Sequence, residues 1–326
     1  MRTRIGTFLA LLMVALMMTA AAPVAAAPAP EVTNALVYLR AQQNGDGGYP
    51  GFSGPASDPS SSADAALAFV SSGVSLGEVK KGDASLLDYL HTSAPGLKTG
   101  PAAKYLLVAA NTGENPSSFG GADLVALSTA EKSADGVSGG SYFVHALVIL
   151  AQAAAKSPDA AKQLDSGILL RAQQVDGGWG FDAKGASDTN TTAIVVQALV
   201  ASGQGGDATT RGMAYMEGTR QSDNLYPFDA TSGDGDANST AYVLQAKIAA
   251  RANPSEIART RAALVALQNP SGAFPFQKSA PDDNLLATVQ AIPALNGRAF
   301  PTLREDSGRR TEDEAGEARQ HDVPNE

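Results

Sequence analysis

The residues best suited to chemistry are carboxylates, amides and hydroxyls that recur in short polar runs. "ASDTNTTA" at 186–193 holds Asp188, Asn190, Thr191 and Thr192, and "DGDANSTA" at 234–241 holds Asp234, Asp236 and Asn238. Asp58 and Ser60 stand in "ASDPSSSA", and Asp282 and Asn284 in "PDDN". A buried carboxylic acid can deliver a proton, and two acids facing one cavity can cleave a glycosidic bond. Asp188 and Asp236 are therefore the candidate catalytic acids. Ser60, Asn190, Thr191, Asn238 and Asn284 are candidates for ligand contact. His145, inside "SYFVHALVIL" where other repeats have Gln197 or Gln245, joins them if it faces a cavity, although a bonded core histidine accounts for it better. Asp234, Asp236 and Asn238 match the first ligand positions of a calcium loop, but Ser239 stands where glycine belongs and Gln245 where glutamate belongs. A polar turn leading into a helix cap explains them better. No metal site and no cofactor is expected.

Composition removes other chemistries. The 326 residues contain no cysteine, which excludes disulfides, thiolate zinc sites and cysteine nucleophiles. The histidines are His91, His145 and His321. The formal net charge of -9 makes nucleic acid or an anionic membrane a poor partner.

The polar runs repeat, and the repeat defines what positions them. Offset by 130 residues, twelve of the 31 residues from Gln43 to Gly73 match their partners, and "DGGY" falls on "DGGW". Further copies carry Tyr226 and Phe274 at the aromatic position occupied by Tyr49 and Trp179. Weaker copies start at Leu86 and Leu124, so six repeats span about Val32 to Pro301. A fixed period of this size marks a repeat architecture. Each copy reads as helix, loop, helix. The second helix opens on Asp, Asn, Ser or Thr, which accept bonds from free N–H groups, and is apolar all round, as a helix buried on most sides must be. Asp58, Asp188, Asp236 and Asp282 are assigned the capping position, with Asn284 opposite Asn190. Equal positions then fall on one rim, where helix N-termini would present N–H groups to a ligand.

The chain ends read differently. Arg2 and Arg4, an apolar run from Ile5 to Ala20 and the small residues after it form a secretory signal cleaved near Ala27; a retained anchor is the alternative. Export to the cell envelope or medium follows. No later segment is apolar enough to span a bilayer. Residues 302–326, with eight acidic and four basic residues, are expected to be a disordered acidic tail.

"QVDGGWG" at 174–180 resembles the QW motif of the squalene cyclase and prenyltransferase repeat family, over about 270 residues of this chain by the repeat count. The resemblance implies an all-α fold, the (α/α)6 toroid shared by terpene cyclases, protein prenyltransferase β subunits and intrinsic factor-type cobalamin carriers. It assigns Gln43, Gln173, Gln221 and Gln268, with their aromatics, to packing. Cyclase chemistry wants a DxDD-like acid, but Asn238 stands in its place within "DANSTA" and Asn190 in "DTNTTA". Prenyl transfer wants a zinc held partly by cysteine. The expectation is a signal peptide over 1–27, a toroid over 28–301 and a tail. Its role is non-catalytic binding of a small molecule at the barrel mouth. A cyclase-like enzyme acting on an isoprenoid and a polysaccharide-active enzyme on the same barrel are the alternatives.

Overall fold

The computed structural model describes residues 28–51, 53–156 and 166–303. The expected leader, and the tail from residue 304 onward, lie outside the described residues. Helices of two kinds alternate. The first kind comprises α1 (Pro30–Ala41), α3 (Leu86–Ser93), α5 (Leu124–Leu127), α7 (Ser166–Ala172), α9 (Asp207–Thr219) and α11 (Pro254–Val265). The second comprises α2 (Pro59–Ser71), α4 (Thr99–Thr112), α6 (Tyr142–Ala154), α8 (Thr189–Ala201), α10 (Ala237–Ala249) and α12 (Leu285–Leu295). The second kind packs in cyclic order: α2 on α4, then α6, α8, α10 and α12, and α12 back on α2. These inner helices are buried all round; ten of the thirteen residues of α8 are buried. The first kind is amphipathic and lies outside, each packed on the inner helix that precedes it, so that α1 rests on α12.

Loops between outer and inner helices form short antiparallel ribbons, such as Trp179–Gly180 with Ser187–Asp188 and Phe274–Gln277 with Ala280–Asn284. They are too short to show as alternation in the sequence. Inside each loop the expected packing motif is visible. Tyr49, Trp179, Tyr226 and Phe274 are fully buried. The amide of Gln173 donates to Gly177 O and to Ala208 O of the next repeat, both at 2.8 Å. Gln43 does the same toward Gly47 and Val79, and Gln268 toward Gly272 and Glu31. Gln221 departs, reaching Gly233 O instead. Gly177 (φ +91) is required twice over: a Cβ there would stand 2.7 Å from Arg211 O, and L side chains avoid that backbone region. Asn224 (φ 67) fills the same position in the following repeat, as asparagine can.

The ring is joined at its ends. Gln268 bonds Glu31 O at 2.8 Å and Arg261 pairs with the Glu31 carboxylate. Residues 298–303 then cross the far end of the inner ring. Arg298 O accepts from Gln245 of α10, Phe300 N–H donates to Gln197 of α8, and Asn111 of α4 holds Pro301 O and Leu303 N–H. Leu303 is fully buried, so Thr302 and Leu303 belong to the body and not to the expected tail. Asn111 offers a donor and an acceptor on one side chain, which an extended backbone can use in both directions.

A polar lumen beneath a capped rim

Each inner helix begins on one rim. Asp58 Oδ1 accepts from Ser61 N–H, Asp188 Oδ1 from Thr191 N–H and Asp236 Oδ1 from Ser239 N–H, at 2.7–2.8 Å. Asn284 Oδ1 caps α12 through Ala287 N–H, and Ser141 caps α6. Asp282 does not cap; it is exposed on the ribbon before Asn284. The assignment by sequence was two residues out, because asparagine caps as well as aspartate and Asn284 replaces the acid. Thr191 is a buried first-turn residue. Burial raises the Asp188 carboxyl above its ordinary range and pushes Asp236 up to about 6, against the lowering effect of bonds from their own helix N–H groups. Both candidate acids are thus engaged as caps, 4% and 2% exposed.

The rim does not present the free helix N–H groups that the sequence suggested. Loops lie across the starts of α4, α6, α8 and α10. Tyr142 N–H donates to Phe181 O at 2.8 Å and Thr189 N–H to Phe228 O at 2.7 Å, while Thr99 N–H donates to Glu131 Oε2 at 3.1 Å. With caps taking the next donors, the rim is rich in acceptors instead. Asp234 accepts from Ser279 Oγ, and among the described residues no three His, Asp or Glu side chains cluster as a metal would need.

The fourth residue after each cap braces the loop. Ser62, Thr192, Thr240 and Thr288 accept the backbone N–H of Tyr49, Trp179, Tyr226 and Phe274, at 2.9–3.0 Å. His145 holds this same position: its Nδ1 accepts from Ser138 N–H at 3.1 Å and it is 1% exposed. It therefore faces its loop, not the cavity. It had been matched to Gln197 and Gln245, which lie nine residues after their caps.

The second and sixth residues after the caps face the ring interior. The pairs are Ser60 and Asp64 on α2, Asn190 and Ile194 on α8, Asn238 and Tyr242 on α10, and Leu286 and Gln290 on α12; Phe143 on α6 and Lys104 on α4 add one each. Tyr242 and Phe143 meet edge to face at 5.9 Å, although α8 separates their helices around the ring, so they touch across the lumen. Lys104 Nζ lies 2.7 Å from Asp64 Oδ2 and donates to Ser60 Oγ at 2.9 Å. Asn238 Nδ2 donates to Gln290 Oε1 at 2.6 Å, and Gln290 reaches Tyr242 Oη at 3.4 Å. Burial raises the Asp64 carboxyl, and the Lys104 ammonium opposes that rise. Burial and the Asp64 charge both raise the Tyr242 phenol. Among the described residues Oδ1 of Asn190, Oδ1 of Asn238 and Oγ1 of Thr189 are buried without a partner. A pocket of about 250 Å³ opens between α2 and α12, lined by Gly51, Ser61, Asp64, Asn284 and Leu286.

Of the residues singled out by sequence, Ser60, Asn190 and Asn238 are brought to this lumen. Asp64, Lys104, Phe143, Tyr242 and Gln290 were missed. The available signal was a charge or amide inside helices that are otherwise apolar on every side, which needs either a bonded partner or a cavity.

No family model matches the chain, and no curated protein matches it. Solved structures share its fold. The type II terpene cyclase MstE from Scytonema is 15% identical, with a TM-score of 0.60 over 82% of this chain and 96% of that one. ent-Copalyl diphosphate synthase from Streptomyces platensis is 22% identical, with a TM-score of 0.51 over 73% of this chain and 50% of that one. A glycosidase variant in complex with glucose is 13% identical, with a TM-score of 0.59 over 81% and 95%. The chain thus has a terpenoid cyclase-like, helical fold.

Proposed function

We propose that the chain is an exported six-repeat (α/α)6 toroid that binds a small polar molecule in its lumen without transforming it. One observation carries this reading: Ser60, Asp64, Lys104, Asn190, Tyr242 and Gln290 are partly accessible polar residues inside a ring of apolar helices. Most of them bond one another, but Asn190 and its neighbour Asn238 each keep a buried Oδ1 without a partner, and such an atom costs free energy until something bonds it. The fold accommodates ligands of either polarity, since MstE is known in complex with geranylgeranyl dihydroxybenzoate and the glycosidase with glucose. Here the lumen wall carries an ion pair and amides, and the 250 Å³ pocket is smaller than the ~300–1,000 Å³ clefts that enclose drug-sized ligands. The test is native mass spectrometry of the purified protein after exposure to a metabolite extract. A co-purifying polar ligand, lost from the Asn190→Ala, Asn238→Ala double variant while its melting temperature stays near wild type, is the expected result. No ligand, or one retained by the variant, refutes it.

A cyclase-like enzyme is the second reading, favoured by the Asp236 carboxyl, which burial holds near a pKa of about 6. Against it, both Asp236 oxygens are engaged by Ser239, and Lys104 pairs with Asp64 in the lumen. Incubation with squalene and geranylgeranyl diphosphate decides. No cyclic product is expected; products that vanish in Asp236→Ala would install Asp236 as the acid.

A further inference from the structure

Three large apolar side chains on the rim stand about half exposed. Phe181, Phe228 and Phe276 are 54%, 45% and 40% exposed. Each stands two residues after the buried aromatic of its repeat (Trp179, Tyr226, Phe274). Their loops lie on adjoining inner-helix starts. Phe181 O takes Tyr142 N–H, Phe228 O takes Thr189 N–H, and Gln277 bridges Asp236. The phenylalanines therefore stand at one level on the mouth of the lumen. Scattered exposed apolar residues carry no message, but recurrence at one repeat position on one face does. The loops are stiffened locally. Asp229 Oδ1 accepts from Thr231 N–H and Ser232 N–H at 2.7 and 2.8 Å, and Asp182 Oδ1 from Lys184 N–H and Gly185 N–H. Aromatic rings held by stiff loops lose little entropy on binding.

Charge narrows the occupant. The rim loops carry Asp135, Asp182, Asp229, Asp234, Asp282 and Asp283 against Lys98, Lys132, Lys184 and Lys278, and Lys98 is already paired with Glu131 at 3.1 Å. Lys278 is already paired with Asp223 at 2.6 Å. Diphosphates, uronic acids and anionic lipid surfaces are repelled. Below the rim, Asn238 is 4% exposed and keeps an unpartnered Oδ1, as Asn190 does; these two oxygens want donors that a hydrocarbon chain lacks, while Phe143 and Tyr242 offer rings beside them. A neutral molecule with alternating apolar faces and hydroxyl edges satisfies both layers. We propose that the ligand is a neutral oligosaccharide, whose sugar faces stack on Phe181, Phe228 and Phe276 while a terminal ring bonds the lumen amides. This rests on the reading of the lumen as a binding site.

The experiment is calorimetric titration of the full chain with neutral gluco-, xylo-, manno- and chito-oligosaccharides, with geranylgeraniol and tetralysine as competing probes. At least one saccharide is expected to bind. Single Phe181→Ala, Phe228→Ala and Phe276→Ala variants should each weaken it roughly three- to tenfold, the worth of an aromatic contact, with melting temperatures unchanged. The Asn190→Ala, Gln290→Ala variant should weaken it further. No saccharide binding, or affinity untouched in the triple phenylalanine variant, overturns the proposal. Geranylgeraniol binding that depends on Asn190 and Gln290, without saccharide binding, overturns the carbohydrate assignment and the polar character proposed for the ligand, and leaves standing only the lumen as the place of binding. Tetralysine binding that depends on the phenylalanines, again without saccharide binding, also overturns it.

Discussion

Removing the loop-bracing hydroxyls tests whether the motif works through bonds or through shape alone. Thr192→Val conserves volume and deletes the acceptor of Trp179 N–H, a 2.9 Å bond in a fully buried place. An orphaned buried donor costs ~1–3 kcal/mol. Thr240 and Thr288 make the same bond to Tyr226 and Phe274 at 3.0 and 2.9 Å. The three sites sit in separate repeats and should add. A triple Thr→Val variant then loses ~3–9 kcal/mol, comparable to the ~5–15 kcal/mol that keeps a domain folded. The matching triple Thr→Ser variant keeps every acceptor and gives up one methyl per site, ~0.8 kcal/mol each. Urea unfolding with unchanged slope separates the two. A triple valine variant within 1 kcal/mol of wild type would show that the hydroxyls contribute no net stabilisation, contrary to the argument.

Trp179→Ala should cost ~3–5 kcal/mol, because the indole is fully buried and its N–H donates to Leu169 O at 2.6 Å; an unchanged denaturation midpoint would contradict this. Asp236→Asn should stabilise the protein at pH 8, by ~3 kcal/mol at most. Burial holds the folded carboxyl at about 6, above its ordinary 3.8, so its contribution is full below pH 4 and is lost as pH rises through 6. The gain must shrink toward pH 5, and a pH-independent difference refutes the assignment. Lys104→Met leaves Asp64 unpaired in a partly solvated lumen, and chemical denaturation should show a loss of ~1–3 kcal/mol, less than the ~3–5 for a fully buried pair. Adding Asp64→Leu should restore most of it; failure to do so means that the pair does more than neutralise itself.

The loops were the legible part of this chain. Glycine, glutamine and a buried aromatic at fixed spacing describe a local device, and Gln43, Gln173 and Gln268 make the bonds that this spacing suggests. Second helices that are apolar all round were legible too, but that same property hid the lumen. When both sides of a helix are buried, periodicity cannot say which side meets a cavity, so Asp64 and Lys104 carried no visible address. Asn284 was misplaced because caps are interchangeable in chemistry and only the backbone shows which residue ends the ribbon. His145 went to the wrong register since its loop is shorter, and a longer imidazole reaches where threonine serves elsewhere. Residues 298–303 show no pattern at all: their bonds run through backbone atoms to Asn111, Gln197 and Gln245.

The joint between Glu31 and Gln268 spans 237 residues of chain, and this sets the order of events in folding. An open stack of helical repeats folds through neighbours alone and can nucleate anywhere. Here α1 has its inner-helix seat on α12, which does not exist until the last repeat has been synthesised. Helix α1 must therefore wait, amphipathic and uncovered, for α12. Loop closure over that span makes a nearest-neighbour folder into one with a long-range step. Joining the two ends by a linker and opening the chain between two other repeats would leave every interface in place and hand the same wait to the outer helix that then comes first.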